Sequence, residues 1–255
     1  MTLLSLLFLV ASTASVLAVN CPDGKACIEV YNKCPFPVCP GVQGKGASTT
    51  GFYLNAGESK VVQVPNGWTA GRIWGRRGCD GKFNCETGFC GNSLACDGRG
   101  GRPPASLAEF TLNGHGNQDY YDVSMVDGYN MPVLIDVIEG TYRTTGGKYD
   151  CKRAGGCFKD LNANSICPPE LRDVVGGRTV GCKSACLAFN TDLYCCRGAH
   201  STPATCRSTD WPKNYPAIFK NACPGAYSYA YDDQTSTFFC RGINTPSAQY
   251  RVQFC

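Results

Sequence analysis

The chain has 255 residues, of which 24 are Lys or Arg and 20 are Asp or Glu, so its formal net charge is +4. This modest charge, without any run of basic residues, does not indicate a nucleic-acid partner. The length allows a sizeable core, and the 19 cysteines are typical of a secreted protein stabilised by disulfides.

The first 18 residues have the pattern of a signal peptide. An apolar run covers 3–10, and small or compact side chains precede the predicted cleavage after Ala18. The alternative is a membrane anchor, but the run is shorter than the roughly 20 residues needed to span a bilayer. We therefore expect the mature chain, 19–255, to be secreted and extracellular, without a transmembrane segment.

Short runs in which apolar and polar residues alternate dominate the mature chain. They predict β-strands at 27–31, 60–64, 107–112, 120–126 and 250–254. The chain also contains 30 glycines and 15 prolines, which favour turns between these strands. The pattern predicts a mainly β fold, either a sandwich or a flattened barrel.

Two cysteine-dense stretches interrupt the strand pattern. A small glycine-rich loop at 79–98 holds four cysteines, and the stretch 151–224 holds nine, with helix candidates at 168–172 and 181–189. No pair of Cys-x-x-Cys motifs exists and the two histidines are far apart, so structural zinc is disfavoured. We interpret both stretches as insertions into one β core, which covers about 26–78, 100–150 and 226–255.

Carboxylates mark the two strands that flank the loop 113–118. The alternation assigns Glu109 and Asp122 to the faces opposite the apolar ones, and a symmetric hairpin would place these two residues directly opposite each other. Like charges so placed are destabilising, which calls for a compensating cation or a functional use. Arg72 is the candidate cation, and Asp127 adds a third carboxylate if the turn after the second strand swings it round.

Several motifs, in order along the chain, resemble the thaumatin-like protein family, which includes thaumatin and the osmotin-type pathogenesis-related defence proteins. These motifs are 71–76 (GRIWGR), 85–91 (CETGFCG), 102–110 (RPPASLAEF), 119–130 (DYYDVSMVDGYN), 194–196 (YCC) and 250–255 (YRVQFC). The resemblance covers nearly all of the mature chain. It implies one thaumatin-like domain over 19–255: a flattened β-sandwich core, a disulfide-rich lobe of loops and helices at 151–224, and a small disulfide loop at 79–98.

The resemblance also implies eight disulfides. They pair Cys34 with Cys255, Cys79 with Cys85, Cys90 with Cys96, Cys151 with Cys240, Cys157 with Cys223, Cys167 with Cys182, Cys186 with Cys195, and Cys196 with Cys206. Three cysteines remain. Cys27 and Cys39 flank the turn around Pro35, and a bond between them would leave Cys21 free; pairing of Cys21 with Cys27 or with Cys39 is the alternative.

The family's acidic cleft implies a ligand-binding set in this chain. That set is Arg72, Glu109, Asp122, Asp127 and Asp232, with Asp233 as the uncertain neighbour. Clustered carboxylates raise the pKa of at least one member, which suits glycoside hydrolysis because that reaction uses one protonated and one ionised carboxyl. We assign Glu109 as general acid and Asp127 as nucleophile or base. Asp122 and Asp232 would tune charge and bind sugar hydroxyls, and Arg72 would orient Glu109.

The resemblance implies a secreted defence protein with antifungal action that binds β-1,3-glucan of the fungal cell wall in this cleft. One alternative is an endo-β-1,3-glucanase that uses the same carboxylates, and another is an inhibitor or stress-related binding protein. No cofactor and no metal are implied, and we expect a monomer with a polysaccharide partner.

Other side chains are weaker candidates for function. Four aromatic residues are candidates for stacking on sugar rings, although core positions are the more frequent use of such residues. They are Phe110, Tyr121, Tyr129 and Tyr231. Both His115 and His200 fall in predicted loops, which disfavours a Ser-His-Asp mechanism.

Overall fold

The computed structural model describes residues 18–255, so the predicted signal peptide lies outside the described residues except for Ala18. The alternating runs form strands, and short additional strands join them. In chain order the strands are β1 (Lys25–Asn32), β2 (Cys39–Gln43), β3 (Ser59–Pro65), β4 (Gly71–Arg76), β5 (Leu107–Thr111), β6 (Asp119–Ser124), β7 (Val133–Val137), β8 (Tyr142–Arg143), β9 (Ala154–Gly155), β10 (Arg172–Val175), β11 (Arg178–Cys182), β12 (Ala226–Tyr227), β13 (Phe238–Gly242) and β14 (Tyr250–Phe254).

The helices are short, as expected for a chain rich in glycine and proline. They are α1 (Ala185–Phe189), α2 (Asp192–Cys195), α3 (Tyr215–Ala222) and α4 (Asp233–Ser236), with 3₁₀ turns at Pro169–Leu171, Gly198–His200 and Ser208–Asp210. No helix between residues 18 and 255 is long and apolar enough to cross a membrane.

The helix predicted at 181–189 is wrong over its first residues. This segment begins inside strand β11, and the helix α1 starts only after Ser184, whose hydroxyl oxygen accepts a hydrogen bond from the backbone N–H of Leu187. Such a cap satisfies a backbone donor that the helix itself leaves free, which favours a start at this position. The candidate at 168–172 is a single 3₁₀ turn, Pro169–Leu171.

Two sheets carry most of the strands. One has the order β3-β1-β14-β7-β9, and β1 and β14 run parallel, which places the last strand of the chain in the middle of the sheet. The other has the order β2-β4-β5-β6-β13-β8, and β12 also pairs with β6. The hairpin of β10 and β11 stands apart from both sheets and belongs to the disulfide-rich lobe.

Aromatic rings from the two sheets meet in the core. Phe110 on β5 and Tyr121 on β6 pack against Tyr250 on β14, with ring centroids 5.3 and 5.0 Å from that of Tyr250. These rings bring one face of each sheet together, so the opposite face of β5 and β6 is left for polar residues. The mainly β sandwich with a disulfide-rich lobe, predicted from the sequence, is confirmed.

Nine disulfides brace the described chain, and eight of them join the pairs that the family resemblance implies. The ninth joins Cys21 to Cys27, so a bond between Cys27 and Cys39 with Cys21 free is ruled out. The physical reason is that Cys27 and Cys39 lie in different sheets. Cys39 is a free, buried cysteine on β2, and its burial raises the pKa of the thiol.

A fully buried arginine attaches the small disulfide loop to the sheet. Arg76 on β4 lies opposite Cys39 in the register, and its guanidinium donates to the backbone oxygens of Cys39, Ser93 and Leu94. Hydrogen bonds to a charged donor are stronger than neutral ones, and here they replace the water that burial removes. The loop 79–98 is therefore held against the end of β4 that is farther from Arg72.

Candidate functional site

Three neighbouring strands place one residue each in a single row on the polar face of the sheet. The register pairs Arg72 on β4 with Glu109 on β5, and Glu109 with Asp122 on β6. The predicted position of Glu109 directly opposite Asp122 is therefore confirmed. Arg72 Nε donates to Glu109 Oε1 at 2.7 Å, which makes Arg72 the compensating cation at one end of the row.

This row forms the floor of a cleft of about 310 Å³. The cleft is lined by Arg72, Leu107, Glu109, Asp122, Ser124, Val126, Asp127, Tyr227 and Ala230. Four of the five residues that the resemblance assigns to the acidic set are thus brought together. Asp232 is the exception.

A tight turn after β6 brings Asp127 into the cleft. The N–H of Gly128 donates to the carbonyl oxygen of Met125, and the carbonyl oxygen of Asp127 accepts from the N–H of Ala105. Gly128 has a φ of +83°, and a Cβ there would lie 2.7 Å from Cβ of Pro104. Both observations require glycine, because other residues rarely adopt this φ and a side chain would clash. The turn therefore depends on Gly128, and it swings Asp127 round to the cleft, which was the condition that the sequence analysis set for this residue.

Asp122 has an unusual environment for a carboxylate. Its Oδ1 is shielded from solvent and has no hydrogen-bond partner among the described residues. Burial raises the pKa of Asp122 well above its ordinary value, and the negative charges of Glu109 and Asp233 raise it further, against the opposing charge of Arg72. An acid in such surroundings favours its neutral form.

Glu109 shares the burial of Asp122 but has a cation. Burial raises the pKa of Glu109, and so does the charge of Asp127, whereas the charge and the hydrogen bond of Arg72 lower it. Glu109 and Asp122, which face each other, therefore differ in their hydrogen-bond partners. One is paired with an arginine, and the other is left without a partner on one oxygen.

Asp232, predicted for the cleft, does not line it. Its carboxylate forms an ion pair with Lys220 at 3.0 Å and accepts hydrogen bonds from the backbone and the hydroxyl of Ser228. Asp232 precedes helix α4 and Asp233 is its first residue, so successive side chains point in different directions. It is the charge of Asp233 that acts on Asp122, and Asp233 accepts a hydrogen bond from the hydroxyl of Tyr227.

Tyr227 is a cleft residue that the sequence analysis missed. It lies in the two-residue strand β12, which is too short to produce an alternating pattern and pairs in parallel with β6. The available signal was only its position a few residues before the pair Asp232 and Asp233. Its side chain lines the cleft beside Asp122 and Asp127.

Three of the predicted stacking aromatics are core residues instead. Phe110, Tyr121 and Tyr129 are almost completely buried, because they occupy positions that alternate with the polar face or lie beneath the lobe. Tyr231 donates its hydroxyl to the carbonyl oxygen of Ser201 in the lobe and does not line the cleft.

The cleft continues as a groove past Arg72. A neighbouring pocket of about 220 Å³ shares Arg72, Glu109 and Asp122 with it. A third pocket of about 490 Å³ shares Arg72 and is lined further by Gln43, Gly44, Lys45, Thr50, Thr69, Ala70 and Gly98. One end of the groove is therefore acidic, and the other is polar with a single lysine.

The polar groups of this groove suit an uncharged, hydroxyl-rich ligand. Carboxylates accept hydrogen bonds from hydroxyl groups, while arginine and lysine donate to ether and hydroxyl oxygens. Neither His115 nor His200 lines the groove. Within residues 18–255, no group of three or more His, Cys, Asp or Glu side chains is placed to hold a metal ion.

Comparison with known proteins places these features in a family. The family model described as the Thaumatin family matches residues 32–255. Pathogenesis-related protein 5 of Arabidopsis thaliana is 48% identical over 257 aligned positions, covering 98% of this chain and 96% of the relative. A protein of Prunus avium named glucan endo-1,3-beta-glucosidase is 43% identical over 240 positions and 90% of each chain.

Solved structures extend the likeness of fold beyond these relatives. A laminaripentaose-producing β-1,3-glucanase, solved in complex with laminaritetraose, superposes with a TM-score of 0.59 at 10% identity. The superposition covers 90% of this chain and 98% of that one, and at such identity it shows a shared fold. With the family model matched over most of its length and a close relative across nearly all of it, the chain belongs to the thaumatin family.

Proposed function

We propose that this protein is a secreted defence protein that binds β-1,3-glucan in the acidic cleft. The observation that carries the proposal is the row of Arg72, Glu109 and Asp122 on the floor of a groove that continues on both sides. A row of charged groups along an open groove suits a chain-like polar ligand better than a compact one.

The lining of the groove supports this class of ligand. Glu109 and Asp127 offer oxygen atoms to sugar hydroxyls, and Tyr227 offers an aromatic ring to the apolar face of a sugar. Lys45 and the two threonines of the far pocket supply donors without adding a second acidic cluster. A neutral glucan chain satisfies both ends of this groove, and the extracellular setting is supported by the disulfides and the predicted signal peptide.

A second candidate is hydrolysis of the same glucan. It is favoured by the name of the Prunus avium relative, glucan endo-1,3-beta-glucosidase. In that reaction an acid gives a proton to the glycosidic oxygen, water adds to the anomeric carbon, and a second carboxylate assists as nucleophile or base. Glu109 and Asp127 are the residues proposed for the two roles, with Arg72 orienting Glu109 through its hydrogen bond.

The test measures binding and turnover separately. The purified protein is incubated with curdlan to measure retention and with laminarin to measure release of reducing sugars. We expect retention on curdlan by the wild type and a large loss in Glu109→Gln. Release of reducing sugar by the wild type and not by Glu109→Gln would support the enzyme; retention without release would leave a binding protein.

A matched control variant is available on the other sheet. Glu29 is held by Arg251 Nε at 2.8 Å, much as Glu109 is held by Arg72, but it lies on β1 away from the groove. Glu29→Gln therefore removes the same type of ion pair and should retain curdlan binding. If the wild type binds neither glucan, or if both variants lose binding equally, the proposal fails.

A further inference from the structure

Asp122 differs from Glu109, Asp232 and Asp233 in the partners it has. Glu109 is bonded to Arg72, Asp233 accepts a hydrogen bond from Tyr227, and Asp232 is paired with Lys220. Asp122 Oδ1 has no partner among the described residues and is shielded from solvent, although the residue is partly exposed in the cleft. A buried carboxylate oxygen without a donor is costly, whereas a neutral carboxyl group lowers that cost.

The titratable groups around Asp122 lie on β4, β5, β12, α4 and the turn after β6. Glu109 lies opposite on β5, and Asp233 acts from α4. Asp127 follows on the turn after β6, and Tyr227 on β12 is uncharged. The cation of this group, Arg72, lies on the far side of Glu109 and is bonded to it.

We propose that Asp122 is the proton-holding residue of the cleft when the cleft binds glucan without cleaving it: Asp122 meets the ligand as a neutral carboxyl group and donates a hydrogen bond to a sugar oxygen, while Glu109, bonded to Arg72, accepts one as a carboxylate. The choice of a sugar as the acceptor rests on the proposed function; the protonation of Asp122 does not. No bond is broken in this step, and the proton stays on Asp122.

Asp122 and Glu109 would then bind a glycan as one hydrogen-bond donor and one hydrogen-bond acceptor. A neutral carboxyl group provides one O–H donor, whereas an ionised one only accepts. A sugar hydroxyl both donates and accepts, so one hydroxyl or two adjacent oxygens can bond to Asp122 and Glu109 at once. Burial raises the pKa of both carboxyl groups, but the pKa of Asp122 is raised well above its ordinary value by burial and two negative neighbours, whereas the charge and the hydrogen bond of Arg72 oppose the rise at Glu109.

The first test needs no ligand. The full-length mature protein is labelled with ¹³C at the Asp carboxyl carbons, and the resonances are followed by NMR as a function of pH. We expect one Asp resonance of a cleft residue to titrate far above the ordinary value of about 3.9, and to be absent in Asp122→Asn. If the resonance that is lost in Asp122→Asn titrates near the ordinary pKa of Asp in the wild type, the proposal is overturned.

Neighbouring variants make the assignment specific. Asp233→Asn removes one negative charge that acts on Asp122 and should move the titration of Asp122 to lower pH. Asp232→Asn is the matched control, because the carboxylate of Asp232 is paired with Lys220. This variant should leave the pH at which Asp122 titrates unchanged. Equal shifts in both variants would contradict the geometry. If Asp122→Asn does not fold, the infrared band of a protonated carboxyl, followed with pH, decides the question. In the wild type this band should persist above the ordinary pKa of about 3.9, and in Asp233→Asn it should disappear at a lower pH than in the wild type.

The second test uses laminarin as the probe. Wild-type affinity should fall by about tenfold per pH unit once Asp122 begins to ionise, because only the protonated form donates. Asp122→Asn keeps a donor at this position and should not show that fall, whereas Asp122→Ala should bind weakly at every pH. A wild-type profile shared by Asp122→Asn would refute the donor role. If no form binds laminarin or curdlan, the proposed function fails, while the NMR titration still decides the protonation.

Discussion

Glu109 and Asp122 lie directly opposite each other on neighbouring antiparallel strands, but only Glu109 is bonded to a cation. Like charges in this arrangement destabilise a sheet. The two residues differ in how this repulsion is relieved. Arg72 offsets the charge of Glu109, whereas one oxygen of Asp122 is shielded from solvent without a donor, so burial raises the pKa of Asp122 and favours its neutral form. This inequality gives the cleft a pH dependence that can be measured on the free protein.

Replacement of Asp122 by Asn should stabilise the protein at neutral pH. A carboxyl group whose folded pKa is raised favours the folded state at low pH, and that contribution is lost as pH rises through the folded pKa. Asn removes this loss. We therefore expect Asp122→Asn to have a larger free energy of unfolding than the wild type above about pH 4. The difference should increase by at most about 1.4 kcal/mol per pH unit and become constant above the folded pKa of Asp122. Urea unfolding at several pH values measures it, and a pH-independent difference would contradict it.

Replacement of Arg72 by Gln should cost more stability at neutral pH than in acid. The ion pair with Glu109 is partly exposed, with 44% of the Arg72 side chain and 26% of the Glu109 side chain accessible, so we expect a loss of only about 0.2–1 kcal/mol at neutral pH. Below the pKa of Glu109 the glutamic acid is neutral and the loss should shrink. Urea unfolding at pH 7 and pH 4 tests this, and equal losses at the two pH values would show that Arg72 acts through packing instead.

Asp232 and Asp233 should differ in their effect on stability although they are adjacent. Asp232→Asn weakens the ion pair with Lys220 and the bonds from Ser228, so we expect a loss of about 1–3 kcal/mol. Asp233 is exposed, and Asp233→Asn should change stability by about 0.5 kcal/mol or less. Thermal unfolding of both variants under one condition makes the comparison. A larger loss in Asp233→Asn would reverse the roles assigned to the two residues.

The disulfide at the chain end should contribute more stability than a bond within the small loop. Cys34 and Cys255 are 221 residues apart, whereas Cys79 and Cys85 are 6 apart. In the chain-entropy model the first bond is worth about 5 kcal/mol and the second about 2, both upper figures because denatured chains retain structure. Paired Cys→Ala variants, compared by urea unfolding, test the order. Equal losses would indicate that native packing, rather than loop closure, determines the contribution.

The unpaired thiol should be Cys39 and should react only after unfolding. Cys39 is buried on β2, and its thiol pKa is raised by that burial. A thiol reagent should therefore find no reactive group in the native protein and one group in the denatured, unreduced protein. Peptide mapping without reduction should recover Cys21 linked to Cys27. A labelled Cys21 would contradict this pairing.

Much of the candidate site could be predicted from the sequence because it depends on periodicity along two strands. Alternation of apolar and polar residues places Glu109 and Asp122 on one face, and the length of the intervening loop aligns them. The same reasoning predicted the mainly β sandwich. For Asp127 the sequence set only a condition, that the turn after β6 must swing it round; the structure shows this turn, in which Gly128 adopts a φ that glycine tolerates best.

The remaining features depend on contacts between segments that are distant in the chain. Whether Asp232 or Asp233 acts on Asp122 is decided by the start of helix α4 and by Lys220, which takes up the carboxylate of Asp232. The pairing of Cys21 with Cys27 follows from the placement of Cys39 in the other sheet. Local sequence thus determined which residues share a face, whereas only the tertiary structure decided which charges share an environment, because burial and pairing arise from segments brought together by folding.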